Sequence, residues 1–349
     1  MTKTNPGNFF EDFRIGQELV HATPRTVTSG DVTLYTALYG TRFAVQSSEA
    51  FARSLGLPRA PVDDLLVFHI VFGKTVPDVS LNAVANLGYA ECRFGVPVYP
   101  GDTLSARSTV IGLRENSNRE SGVVYVRSTG RNQHGDVVLD YVRWVMVRKR
   151  DSKADVPPAV TPKLAPAVAA GEIVGPAGLT LASYDAQLAG ATHRWGDYEP
   201  GEKIDHVDGM TIEEAEHMIA TRLYQNTAKV HFDQRLAAGS RFGRRLIYGG
   251  HIISLARALS FNGLANAFRV AAINAGSHTN PTLAGDTIYA WSEVKEKAAL
   301  SGRSDMGALR LRTVAVKNTP SSGFSDKGAD GKPDPSVVLD IDYWVLMPR

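Results

Sequence analysis

The chain has 349 residues, enough for two domains that each bury a core of their own. Its 38 Lys and Arg against 36 Asp and Glu leave a net charge of +2, which excludes nucleic acid or an anionic membrane as the main partner. A single cysteine, Cys92, excludes an intramolecular disulfide and fits a reducing cytoplasm, and no apolar run approaches the ~20 residues of a membrane span.

An aromatic-acidic segment, Phe9-Phe10-Glu11-Asp12-Phe13, opens the chain. The polar cap Thr28-Ser29-Gly30-Asp31 then predicts a helix over Val32 to Leu38. Leu65 to Phe72 is apolar on most faces, which predicts a helix wrapped by sheet. β-Branched residues and short turns predict strands over Ala90–Val98, Thr103–Leu113, Gly122–Arg131 and Val137–Arg148. The segment Asp151 to Gly178, with Pro157, Pro158, Pro162, Pro166 and Pro176, reads as an extended, semi-rigid linker.

The pattern then restarts. Trp195-Gly196-Asp197-Tyr198 answers the opening segment, Glu213-Glu214-Glu216 makes an acidic first helical turn, and Ile252 to Leu259 is a second apolar helix. Strands follow over Thr287–Val294, Leu309–Val316 and Val337–Met347. Helices followed by consecutive antiparallel strands make the chain α+β.

The restart is a duplication. A shift of 185 residues superposes Asp12 on Asp197, Gly16 on Gly201, His21 on His206, Thr26 on Thr211 and Tyr39 on Tyr224. Toward the ends the shift becomes 200, because Val137-Val138-Leu139-Asp140 and Trp144 recur as Val337-Val338-Leu339-Asp340 and Trp344. The Gly/Ser/Pro/Asp-rich stretch Lys317 to Ser336 accounts for the difference as a long loop replacing the turn Gly130 to Asp136. The units are therefore residues 1–150, a linker 151–178, and residues 179–349.

Several chemistries fall away. Gly73-Lys74-Thr75 lacks the upstream glycine of a phosphate-binding loop, since that position is Phe68, and no G-x-G-x-x-G follows a strand. The nine histidines form no metal-ligand spacing, so no metal and no other cofactor is expected. One aligned pair does differ in chemistry: Gln46 in the first copy is His231 in the second. An imidazole titrates near neutrality and accepts a proton, which the amide does not. Asn226 offers a carboxamide to hold water, and Asp233 is placed to orient the imidazole or carry a second proton. Gly249 and Gly250 precede an apolar helix, where unsatisfied N–H groups suit an oxyanion. Arg222, Arg235, Arg241, Arg244 and Arg245 surround this segment and suit a carboxylate or phosphate.

The run from Tyr224 to His231 resembles the motif G-D-x-N-P-[LIV]-H of the MaoC-like (R)-specific enoyl-CoA hydratases, with His231 on the histidine, Val230 on the aliphatic position and Asn226 on the catalytic aspartate. Ile247-Tyr248-Gly249-Gly250 resembles that family's turn into its central helix, with Gly250 on the oxyanion-binding glycine. Asn226, Ala228 and Lys229 depart from the motif. With the duplicated halves and the arginine-rich second copy, these departures most resemble the branch of mesaconyl-CoA (2-methylfumaryl-CoA) hydratases. The resemblance implies a tandem (double) hotdog, each unit a curved antiparallel sheet around a long central helix. It also implies a CoA-thioester substrate, reversible hydration to β-methylmalyl-CoA and a homodimeric assembly. The first copy, with Thr41 and Gln46 at the aligned positions, is expected to bind CoA through Asp63, Asp64, Leu65, Leu66, Asn86, Leu87, Gly88, Tyr89, Pro97, Val98 and Tyr99. A generic (R)-specific enoyl-CoA hydratase, a hotdog acyl-CoA thioesterase and a non-catalytic acyl-CoA binding protein are the alternatives.

Overall fold

A computed structural model describes residues 3–328 and 330–349. The first unit contributes β1 (Glu18–Thr26), β2 (Ala83–Phe94), β3 (Thr103–Glu115), β4 (Ser121–Arg131) and β5 (Val137–Arg148). The second contributes β6 (Lys203–Asp205), β7 (Met210–Thr211), β8 (Arg269–Ser277), β9 (Thr287–Leu300), β10 (Arg303–Lys317) and β11 (Val337–Pro348). They form one antiparallel sheet in the order β1-β3-β4-β5-β2-β8-β11-β10-β9-β6, with β7 also on β9. The helices around the site are α1 (Ser29–Tyr39), α2 (Ala44–Ser47), α3 (Glu49–Ser54), α4 (Asp64–Thr75), α5 (Glu214–Leu223), α6 (Lys229–Phe232), α7 (Gln234–Ala238) and α8 (Gly249–Leu259).

The duplication is visible as contacts between equivalent residues. Tyr39 and Tyr224 share a hydroxyl hydrogen bond of 2.7 Å, His69 Nε2 meets Ser254 Oγ at 2.8 Å, and Ala90 pairs with Ala275 across β2 and β8. Each pair is separated by 185 residues, the shift that aligns the copies. Residues related by a two-fold meet only on its axis, so an approximate dyad runs through these three contacts. The central helices α4 and α8 meet on it, and their N-termini lie at opposite ends of the interface.

The two helices are wrapped because their sequences leave almost no polar face. All of Leu65 to Thr75 is buried in α4, and so is Gly250 to Arg257 in α8. One core runs across both units. The β2–β8 junction is small: Arg269 to Ser277 reads RVAAINAGS, and its alanines let the two half-sheets close. That composition also hides β8 from periodicity, while Pro24 and a register shift between His21 and Arg25 hide β1.

The linker is packed rather than free. Val160 and Leu113 exchange backbone hydrogen bonds of 2.8 and 2.9 Å, Trp344 Nε1 donates to Val168 O at 3.0 Å, and Val168 N donates to Asn274 Oδ1 at 2.9 Å. The loop Lys317 to Ser336 folds back on β9 and β10, where Phe324 meets Trp291 edge-on and Arg312 pairs with Asp326 at 2.8 Å. Among the described residues no helix is long and apolar enough to cross a membrane.

Candidate active site

The residues that could do chemistry gather where the second copy's α5–α6 segment lies over the N-terminus of α8. After α5 the chain reverses through Gln225, at φ 55°, and Asn226 N returns to Thr221 O at 2.9 Å. The first copy holds this segment down. Gly73 of α4 has no room for a side chain because the Tyr224 carbonyl lies against it, and Arg25 donates to Leu223 O.

His231 sits on the short helix α6. Its Nδ1 donates to Leu246 O at 2.9 Å, and Leu246 N bonds Val230 O at 3.1 Å, which ties α6 to the approach to α8. The bond fixes the tautomer, leaving Nε2 as the acceptor. Desolvation holds the imidazole below its ordinary pKa, against the weaker pull of the Leu246 carbonyl, so it is neutral at pH 7. Its ring lies 5.7 Å from that of Tyr248, the residue before Gly249.

The two central helices start differently. In α4 the first turn is sealed: Asp63 Oδ1 accepts from Leu65 N at 2.9 Å, and Asp64 accepts from Val270 N at 3.1 Å beside Arg269. Burial raises Asp63, and it raises Asp64 to about 6 despite Arg269. In α8 the cap is Tyr248, whose side chain bonds no helix amide, and Gly249 and Gly250 follow with bare backbone. A Cβ on Gly249 would stand 2.4 Å from the His278 ring, and one on Gly250 would stand 2.4 Å from Tyr248 and 2.6 Å from His69. Glycine is demanded by imidazole and phenol rings crowding the helix start.

Those rings were not among the sequence-derived candidates. His278 follows β8 and approaches Tyr89 Oη at 3.4 Å; its Nδ1 is buried without a partner among the described residues. Burial, and then the proximity of His231, push it down to about 4. His217 Nε2 accepts from Tyr248 N at 2.9 Å, and His251 Nδ1 meets Tyr39 Oη at 2.7 Å. Burial lowers His69 and His251 to about 3. The one readable signal was a polar residue inside an all-apolar helix, as at His69; the position of His278 depends on the β2–β8 pairing, which no local pattern shows. The histidine shared by both copies is structural: His21 bonds Asp78 and Ser108, and His206 bonds Asn262 O and Ser292.

The other candidates separate into groups. Asn226 is buried, but its Oδ1 accepts from Ala228 N at 3.2 Å, so its free group is the NH2 rather than the oxygen expected to hold water. Asp233 caps α7 through Leu236 N at 3.1 Å, and His231 takes its orientation from Leu246 instead. Arg222 and Arg235 are exposed, and Arg245 pairs with Glu214 at 3.0 Å. Asn86, Leu87, Gly88 and Tyr89 lie on β2 beside the strand end that carries His278, and both polar atoms of Asn86 are buried without partners among the described residues. Asp63, Asp64, Leu65 and Leu66, with the turn Pro97-Val98-Tyr99, lie instead at the other end of the dyad. There Val62 N bonds Val98 O at 2.8 Å, and Gln46, Asp64, Pro97, Phe268 and Arg269 line one cleft. That cleft is the first copy's counterpart of the His231 site, and Gln46 closes it by donating to Phe268 O at 2.7 Å.

Comparison with known proteins gives the family and the fold. Residues 1–329 match the family model described as mesaconyl-CoA hydratase. A β-methylmalyl-CoA dehydratase of Chloroflexus aurantiacus is 66% identical over 347 residues, covering 99% of each chain. A mesaconyl-CoA hydratase of Cereibacter sphaeroides is 62% identical, covering 99% of this chain and 100% of its own. A crystal structure of a MaoC domain protein from Chloroflexus aurantiacus superposes with a TM-score of 0.98 at 65% identity, covering 100% of this chain and 99% of its own. A conserved Mycobacterium tuberculosis protein with a double hotdog fold superposes at 0.75 with 25% identity, covering 98% of this chain and 99% of its own.

Proposed function

The chain belongs to the mesaconyl-CoA hydratase family, and on that premise we propose that it interconverts mesaconyl-CoA and β-methylmalyl-CoA by reversible hydration. The observation that carries the proposal is the pairing of a neutral, tautomer-locked imidazole with an uncapped two-glycine helix start.

The chemistry follows from the two parts. Bound with its thioester oxygen on the amides of Gly249 and Gly250, the substrate has its C2–C3 double bond polarised toward that oxygen by unsatisfied N–H groups and the positive end of α8. Water attacks C3 while His231 Nε2 takes its proton, and the π electrons move onto the thioester oxygen as an enolate. The proton is then delivered to C2, the enolate collapses, and the product carries hydroxyl at C3 and hydrogen at C2. The NH2 of Asn226 orients water or substrate by donation. His278 is a second neutral imidazole at the same helix start, its ring against Gly249.

In this reading the first unit (1–150) supports binding and holds the catalytic segment, while the second (179–349) carries the proton chemistry. The exposed arginines Arg222 and Arg235, which flank the catalytic segment in sequence, suit the CoA phosphates. The test is turnover of branched, dicarboxylic and straight-chain enoyl-CoA thioesters. Loss of enoyl absorbance without free thiol is expected, fastest with mesaconyl-CoA. Thiol release at constant enoyl content would make the enzyme a thioesterase instead.

A further inference from the structure

The catalytic end of the molecule contains a cation that the fold leaves unmatched. Arg143 lies on β5, directly opposite Tyr89 on β2, and is fully buried. Its Nη2 donates to Thr75 Oγ1 at 2.7 Å and Ser80 Oγ at 3.3 Å, and the guanidinium lies 4.2 Å over the Phe72 ring. Among the described residues Nε and Nη1 have no partner, nor has the neighbouring Tyr141 hydroxyl. No carboxylate pairs with Arg143 among the described residues. A guanidinium keeps its charge at neutral pH even though burial lowers its pKa. Burying that charge beside neutral hydroxyls and phenyl rings opposes folding, a cost that a bound anion would offset.

The rings around Arg143 lead to the site. Phe72 lies 5.7 Å from Tyr248, which borders His231, and Tyr89, paired with Arg143 across the strands, reaches His278. The second copy offers a control. Its buried arginine, Arg257, donates to Ala267 O and to Ser260 Oγ and has the carboxyl groups of Asp63 and Asp64 nearby, whereas only tyrosines stand near Arg143.

We propose that Arg143 is the substrate-specificity residue, whose two free guanidinium nitrogens receive the carboxylate of the dicarboxylic acyl group. This rests on the hydratase reading and identifies the group that selects an enoyl thioester with a carboxylate on C3. Thr75 and Ser80 align the fork, the aromatic rings exclude water, and the anion supplies the charge the fold lacks.

The test compares mesaconyl-CoA with tigloyl-CoA, its isostere with methyl in place of carboxylate. Arg143→Met should reduce kcat/KM for mesaconyl-CoA by about 100-fold or more, as expected for truncating a buried charge pair, and affect tigloyl-CoA far less. Thr75→Val keeps the charge but removes its anchor, and should produce a loss of about 3- to 10-fold, confined to mesaconyl-CoA. If Arg143→Met does not fold, Thr75→Val decides. Equal losses on both thioesters would overturn the proposal. Binding of the saturated methylsuccinyl-CoA and 2-methylbutyryl-CoA separates the two levels of inference. A wild-type preference for the dicarboxylic ligand that the variants lose supports Arg143 even if nothing is hydrated. Hydration with that preference intact in the variants refutes Arg143 alone.

Discussion

Gly250→Ala tests the helix start by adding a single methyl group. The new Cβ would lie 2.4 Å from the Tyr248 ring and 2.6 Å from His69, whereas ordinary contact begins near 3.4 Å, so Tyr248 must retreat by roughly 1 Å. His69 is held by Ser254, and the Tyr248 amide is held by His217, so the ring cannot move freely. Overpacking of this kind costs about 1–3 kcal/mol, and the better helix propensity of alanine returns up to about 1 kcal/mol, so the protein should still fold. Activity should suffer more. A misplacement of about 1 Å beside the reacting groups is worth about 10²-fold, and the methyl also crowds the amides that hold the enolate. The assay is the initial rate of enoyl-thioester absorbance loss, with thermal denaturation as the folding control. Gly196→Ala, where nothing lies within 4 Å, is the matched substitution and should change neither measurement. A folded Gly250→Ala enzyme with wild-type kcat would refute the role assigned to this helix start.

His231→Ala should lower kcat by about 10²–10⁴-fold, the usual contribution of a general base, while Gln46→Ala at the aligned position leaves kcat within about twofold; equal damage from both would abolish the division of labour between the copies. Because burial lowers His231 and catalysis uses its neutral form, the acid limb of kcat/KM should lie below the ordinary imidazole value of about 6.5; a limb at or above it would contradict the assignment. Stability should also fall in acid: His69, His206, His217 and His251 are buried with pKa values lowered to about 3, 4, 2 and 3. Their contribution is complete above the unfolded pKa and declines as pH falls through about 6.5 toward the folded values, by about 2 kcal/mol each at pH 5. Urea unfolding at pH 8 and pH 5 measures this, and equal midpoints would show that the cluster is not neutral in the native state.

The duplication made much of this legible. Aligned residues gave the two units, the central helices and the His231–Gln46 contrast, since repeat and period are local properties of a chain. The glycines that start α8 were legible too, but the reason for them was not: they face His278 and His69, which reach the helix start from other elements, and the ring of the cap residue Tyr248. Arg143 could not be found from sequence because β5 reads as an ordinary strand. Its meaning lies in what fails to face it across the sheet, which depends on the register with β2 and on α4. The arginines that sequence brings near His231, by contrast, are mostly turned to solvent or paired.

The asymmetry between the copies has a common physical logic. At one end of the dyad Asp64 and Leu65 stand where the other end has Gly249 and Gly250, Gln46 stands for His231, and Thr41 for Asn226. The helix start is filled and capped: Asp63 caps α4, Asp64 accepts from the backbone beside Arg269, and Gln46 donates to Phe268 O, although Gln46 Oε1 and Thr41 Oγ1 stay buried without partners among the described residues. The catalytic end keeps the opposite features, an uncapped helix, a histidine with an orphan Nδ1, an unpaired asparagine side chain and a guanidinium without an anion. Unsatisfied buried groups of this kind oppose folding and persist where binding completes them. Both ends share one core and the β2–β8 seam, so the apolar burial of the whole molecule offsets the cost of the unsatisfied groups at the open end.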